Sequence, residues 1–176
     1  MGMDVYGASP TTEKGQYFRR NVWGWRPLAD LVCELAPLET SGCTYWHSND
    51  GDGLDANAAK ALAKRLQTLV DNGTVAKYIA DRDVCLASLP DQPCRYCDGA
   101  GIRSDAVGVE NGFDKRLIGP ATNADITHPR FGQVGWCNAC DGAGHVRPSA
   151  TFYHLNIEDV AEFIGFLHAC GGFEIC

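Results

Sequence analysis

The sequence has no apolar run near the roughly 20 residues that a membrane-crossing helix needs, which excludes an integral helical membrane protein. Its first 20 residues, Met1 to Arg20, lack a basic segment followed by an apolar one, so no secretory signal is expected. Met1-Gly2 opens the chain, but Tyr6 stands where the myristoylation pattern requires Ser or Thr. Basic charge is in short supply as well. Fifteen Lys and Arg against 22 Asp and Glu give a formal net charge of −7. The isoelectric point of about 5.1 disfavours a protein that merely coats nucleic acid. There is no P-loop, dinucleotide fingerprint, nucleophile elbow or HExxH motif. These absences lead to the expectation of a cytoplasmic protein without membrane partners and without a recognisable catalytic motif.

Cysteine is what the sequence has in excess. Nine cysteines in 176 residues, an odd number in a chain without an export signal, argue against a disulfide framework and for a reducing compartment. Cys33, Cys43, Cys85, Cys170 and Cys176 are scattered, and packing in the core is the expectation for such residues. The other four form two pairs, Cys94 with Cys97 and Cys137 with Cys140.

The pattern around the pairs divides the chain into a body at 1–90, a module at 91–148 and a C-terminal region at 149–176. In the body, Pro27 suits a first helical turn, with Leu28, Leu31, Val32 and Leu35 at helical spacing before Pro37. Asp55 is placed to cap a helix over 56–71 whose stripe is Ala59, Leu62, Leu66 and Leu69. Asn72-Gly73 stops it, and a further helix is expected from Thr74 towards Leu89. Residues 150–155 read as a short strand. Asn156 then caps a helix with Ile157, Val160, Phe163, Ile164 and Leu167 on one stripe, ended by Gly171-Gly172. The expected fold class is mainly α (α+β): a small helical body carrying an inserted, glycine-rich, zinc-ribbon-like module, with the C-terminal strand and helix packing back on the body.

The two cysteine pairs are an internal repeat. Residues 94–101 read Cys-Arg-Tyr-Cys-Asp-Gly-Ala-Gly and residues 137–144 read Cys-Asn-Ala-Cys-Asp-Gly-Ala-Gly, both C-x-x-C-x-G-x-G. Two cysteines separated by two residues can present both sulfurs to one tetrahedral metal. The glycines that follow allow a tight turn with positive φ, and backbone N–H groups can then donate to sulfur. Cys94, Cys97, Cys137 and Cys140 are therefore the candidate ligands of one structural Zn²⁺, a closed four-thiolate set. The 39 residues between the knuckles are not prohibitive, because closure entropy grows only logarithmically with loop length.

This motif resembles the cysteine-rich zinc domain of DnaJ-type co-chaperones, which pairs C-x-x-C-x-G-x-G repeats into zinc sites. The resemblance covers two eight-residue segments, where the family has four repeats and two zinc ions, and so implies one zinc here. The His-Pro-Asp tripeptide of a J-domain is missing, so recruitment of a chaperone ATPase does not follow. The opening Met-Gly-Met-Asp-Val-Tyr-Gly, the stretch Tyr17 to Trp23 and the ending Gly171 to Cys176 are similar to uncharacterised proteins of phages and bacterial mobile elements. That similarity implies a phage accessory protein in a host cytoplasm, with no stated activity.

Other constellations are weaker. A thioredoxin-like dithiol wants a single C-x-x-C motif and a βαβ context, and neither is present. Pro93-Cys94-Arg95-Tyr96-Cys97 matches half of the zinc-deaminase signature, but the H-x-E half is missing upstream. Cys43 with His47, and His168 with Cys170, have spacings that a second metal site would use. Asp50, Asp52 and Asp55 lack the glutamate at the twelfth position of a calcium loop. Tyr17, Phe18, Trp23 and Trp25, interleaved with Arg19, Arg20 and Arg26, could stack on single-stranded nucleic acid, though their place before a helix favours a core role. Three functions are thus carried forward: a non-enzymatic protein-binding protein stabilised by zinc, such as an inhibitor of a host protein; a nucleic-acid-binding zinc protein using Arg19, Arg20, Arg26 and the basic residues of the long loop; and an enzyme using His47, Asp50, Asp52 or His154. The first is preferred, with the zinc module, the 102–136 segment or the acidic C-terminal region (Glu158, Asp159, Glu162 and Glu174) as contact surface.

Overall fold

The computed structural model of the chain describes residues 2–176; Met1, considered above for N-terminal processing, lies outside them. The fold is α+β, with five helices and two small antiparallel sheets among the described residues. The chain divides into two compact units, Met1–Ala87 with Ala150–Cys176, and Ser88–Ser149. No described helix is long and apolar enough to cross a membrane.

In the first unit, strands β1 (Gly2–Gly7) and β2 (Tyr17–Asn21) pair antiparallel, with Val5 opposite Phe18 and Tyr6 opposite Tyr17. Their alternation puts Met3, Val5 and Phe18 in the core and leaves Tyr6 and Tyr17 on the solvent face. Helix α1 (Val22–Leu35) begins five residues earlier than the proline signal predicts, because Asn21 caps it by accepting the Gly24 N–H at 2.9 Å. Pro27 therefore lies inside the helix, where it lacks the N–H that would reach the Trp23 carbonyl. The early start also splits the aromatic group. Trp25 is buried and donates its indole N–H to the Trp46 carbonyl at 2.6 Å, while Trp23 is 41% exposed and rests on Tyr153.

Strand β3 (Asp52–Leu54) leads into α2 (Ala56–Asp71), capped by Asp55, which accepts from the Ala58 N–H at 2.8 Å. Its expected stripe, Ala59, Leu62, Leu66 and Leu69, is buried. Helix α3 (Thr74–Ser88) follows and buries only Val75 among its residues. Helix α5 (Ile157–Ala169) completes the core and is held at its start by a reciprocal capping box between Asn156 and Asp159. Asn156→Ala is expected to cost about 1 kcal/mol, readable as a small fall in chemical-denaturation midpoint; an unchanged midpoint would mean the cap contributes nothing. Arg20 on β2 reaches α5 through Asp159, at 3.1 Å, and Glu162.

The strand expected over 150–155 is absent. Ser149–Phe152 forms a single 3₁₀ turn, because its β-prone residues face no partner strand and Phe152 and Tyr153 instead pack against Trp23. The C-terminal strand is β6 (Phe173–Ile175), reached through Gly171 and Gly172, both with positive φ. It enters between β1 and β3 to give the sheet order β2-β1-β6-β3. The body is thus a sheet with helices packed on its inner face. Phe163 sits at the centre of the core, fully buried and 5.1 Å from Phe18, 6.0 Å from Trp25 and 6.3 Å from Phe173, ring centroid to centroid.

Candidate metal centre

The second unit is organised by its two knuckles, which repeat at an offset of 43 residues. Their backbones match: Asp98, Gly99 and Gly101 have φ of 46°, 86° and 71°, and Asp141, Gly142 and Gly144 have 51°, 76° and 81°. In each, the final glycine N–H turns back onto the second cysteine. Gly101 donates to Cys97 Sγ at 3.3 Å, and Gly144 to Cys140 Sγ at 3.2 Å. The knuckles then interlock. A Cβ on Gly101 would stand 2.4 Å from the Gly142 carbonyl oxygen, and one on Gly144 would stand 2.3 Å from that of Gly99. Short ladders frame the pair: β4 (Gln92–Pro93) runs against β5 (His145–Val146), and the Arg103 N–H donates to the Trp136 carbonyl at 3.2 Å.

This interlocking brings Cys94, Cys97, Cys137 and Cys140 together, all buried, with sulfurs within 4.8 Å of one another. A tetrahedral site with Zn–S bonds of about 2.3 Å has sulfur–sulfur edges of about 3.8 Å. The Cys94–Cys137 and Cys97–Cys140 separations are 3.9 and 3.7 Å. The four thiols could therefore hold a metal ion such as zinc with little adjustment.

Burial pushes the Cys140 thiol up to about 12, with the neighbouring thiols adding to the rise and the Gly144 N–H opposing it. Cys97 is raised by burial first, with Cys94 and Cys137 adding to the rise and the Gly101 N–H and Cys140 opposing it. Cys94 is held below the usual thiol range, because the Tyr96 N–H and the surrounding thiols outweigh the burial that pushes it up. A divalent cation at the centre favours all four thiolates, which is why metal binding to such a set releases protons.

Two glycine substitutions separate backbone conformation from interlocking. Gly99→Ala meets nothing closer than 3.9 Å, so its cost is that of a left-handed alanine, roughly 1–2 kcal/mol. Gly144→Ala carries the same conformational cost and also collides with the Gly99 carbonyl. Metal affinity measured by chelator competition is expected to fall much further for Gly144→Ala; equal losses would show that the interlocking is immaterial.

The remaining candidates do not assemble. Among the described residues, no other group of three or more His, Cys, Asp or Glu side chains could hold a metal. Cys43 is buried in the main core, its thiol pushed up to about 12 by burial and by Asp52, whereas His47 points its Nε2 at Asp30, 3.0 Å away. Cys170 is buried and His168 is exposed. Asp52 accepts the Thr44 and Tyr45 N–H groups and its own neighbour's, which hold its carboxyl below the usual range and make it a turn-former. His154 is exposed with Nδ1 3.2 Å from the Phe152 carbonyl, and Asp50 is exposed. Arg19 pairs with Asp4 at 3.4 Å and Arg20 with α5, leaving Arg26 alone of the three without an ion pair among the described residues. Cys176 is exposed, with its backbone paired to Asp4.

Sequence reasoning missed how the 102–136 segment is held. It is ordered: helix α4 (Ala106–Glu110) is followed by an antiparallel pairing of Leu117 with Val134. Arg103 donates to Asn138 Oδ1 at 3.0 Å, and Phe113 meets Trp136 edge to face at 5.4 Å. Trp136 Nε1 and His128 Nε2 both reach Asp141 Oδ1, at 3.0 and 3.2 Å. His128 Nδ1 accepts the Arg130 N–H, which places the imidazole proton on Nε2 as the donor to Asp141. A cleft of about 170 Å³ opens between Arg116, Asn123, His128, Trp136 and Asp141. The one sequence-level signal was compositional: aromatic residues and arginines inside a segment otherwise rich in glycine and polar residues. No protein family, curated protein or solved structure matches the chain.

Proposed function

We propose that the protein is a non-enzymatic protein-binding protein whose second unit is built on one structural zinc held by Cys94, Cys97, Cys137 and Cys140. The observation that carries this reading is the buried four-thiol cluster at tetrahedral spacing, repeated N–H···S contacts included. A closed thiolate set leaves no coordination position for a reacting water, so its contribution is to hold the fold. The unit it holds together carries exposed apolar surface. Leu117 and Val134 are paired and 60% and 55% exposed, and Val107, Val109 and Ile126 are exposed on the same segment. Exposed aliphatic side chains gathered on one ordered segment fit a contact surface for another protein. The likeness of the knuckles to the DnaJ zinc domain bears on the zinc fold alone, and the similarity to phage and mobile-element proteins suggests an accessory protein without implying an activity.

The first test is elemental analysis of the purified protein with thermal melting before and after chelation. One zinc per chain and a lower melting temperature on its removal support the structural assignment; no metal, with Cys94 and Cys97 oxidised, overturns it. A mobility-shift titration against salt addresses nucleic acid, where counterion release imposes a steep salt dependence. No shift is expected, since two of the three arginines first considered for that role are already paired with acids.

A further inference from the structure

The two knuckles are alike in sequence, backbone and internal hydrogen bonding, yet their outer faces differ. The second knuckle is covered over Gly142 and its aspartate has partners, although the Asp141 side chain itself stays 75% exposed. His128 and Trp136 donate to Asp141, and the stem of Arg130 lies so close over Gly142 that a Cβ there would stand 2.9 Å from Arg130 Cγ. Arg130 is fixed in that position by its own turn, donating to the Gly135 and Val134 carbonyls. Gly142 is buried as a result. On the first knuckle Asp98, Gly99 and Ala100 are all exposed, Asp98 has no partner among the described residues, and a Cβ on Gly99 would meet no side chain.

The molecule therefore displays the same face twice, once with its occupant and once without. We infer that the bare face Asp98–Gly99–Ala100 is a docking site for a partner-protein segment chemically like residues 126–136: the stem of an arginine or lysine laid across Gly99, and an imidazole or indole N–H donated to Asp98. The inference rests on the protein-binding reading above and names the surface and the partner's chemistry. The charge agrees. Four thiolates around a divalent ion leave the centre at about −2, and Asp98 adds to it. Of the arginines beside this knuckle, Arg103 is engaged by Asp105 and Asn138, and Arg95 lies over the Tyr96 ring, 4.7 Å from its centroid.

The probe is a synthetic peptide of this chain's own residues 126–136, Ile-Thr-His-Pro-Arg-Phe-Gly-Gln-Val-Gly-Trp, titrated against the full-length metal-loaded protein by calorimetry and by backbone amide shifts. Expected are 1:1 binding, with shifts centred on Tyr96 to Gly101, and about ten-fold weaker binding to Asp98→Asn. Ala100→Trp, which fills the face from an exposed position without altering a glycine, is expected to abolish binding. Glu110→Gln, at an exposed position of the same unit, leaves it unchanged. Metal content and melting temperature of each variant show that the knuckle is intact. Binding that is absent with zinc in place, or that is unaffected by both Asp98→Asn and Ala100→Trp, overturns the inference while leaving the zinc assignment standing. A protein that holds no metal and shows no protected amides over 94–101 sinks both.

Discussion

Cys137→Ser is expected to remove the stoichiometric metal and to strip hydrogen-exchange protection from most of Ser88–Ser149, while the core around Phe163 stays protected. The reason lies in what holds each unit. The buried apolar residues of the first unit form one cluster running from Met3 to Ile175. The second unit's buried cluster consists of the four cysteines themselves, with Val146 packed beside them. A unit of this size with so few apolar side chains inside cannot offset its ordering entropy by burial alone. Structural zinc in small modules supplies on the order of 10 kcal/mol of folding free energy, and loss of one thiolate forfeits most of it. Cys137 is fully buried, so serine also leaves a hydroxyl among three sulfurs without a good partner. The measurement is exchange by mass spectrometry with metal content on the same samples. Retained protection across 88–149 in a metal-free variant would show that the thiols are packing residues and nothing more.

Phe163→Ala is expected to be the costliest single truncation in the first unit, at about 4 kcal/mol. The ring is fully buried among Phe18, Trp25, Phe166 and Phe173, from strands and helices of both ends of the chain. Those neighbours come from separate elements, so they cannot collapse into the vacated space without shifting the sheet against α5. The corresponding fall in Tm is about 15 °C for a unit of this length. A loss near 1 kcal/mol would mean that the aromatic cluster relaxes freely and is not the keystone its geometry describes. Metal affinity should be untouched, which distinguishes this variant from Cys137→Ser.

Comparison of these two units shows where sequence carries structural information. Helices α2 and α5 were legible because each has a cap residue, an apolar stripe at helical spacing and a glycine stop, three signals that agree. The knuckles were legible because the same eight-residue pattern occurs twice, and their geometry needs only local backbone turns plus one interlock. The four-stranded sheet was not. Strands β3 and β6 are three residues long, and a pattern of period two cannot be recognised over three residues. Residues 150–155 went wrong for the converse reason: Thr151, Phe152 and Tyr153 favour strand, but a strand exists only when another lies beside it. Trp23 and Trp25 look equivalent on paper and are separated by the Asn21 cap, which sets the helix phase and turns one ring inward. The cover of the second knuckle was invisible because it depends on His128, Arg130 and Trp136 meeting Asp141 and Gly142 across a chain reversal, a juxtaposition no spacing rule encodes.

Strand β6 lies between β1 and β3, and it is the last described element that a ribosome delivers. Until Phe173–Ile175 has emerged, β1 and β3 have no strand to join them, and the two faces of the hydrophobic core remain unsealed. The whole of Ser88–Ser149 is synthesised before that point. The second unit is therefore complete in sequence before the sheet of the first can close, so the closing strand of the first unit forms its pairs last.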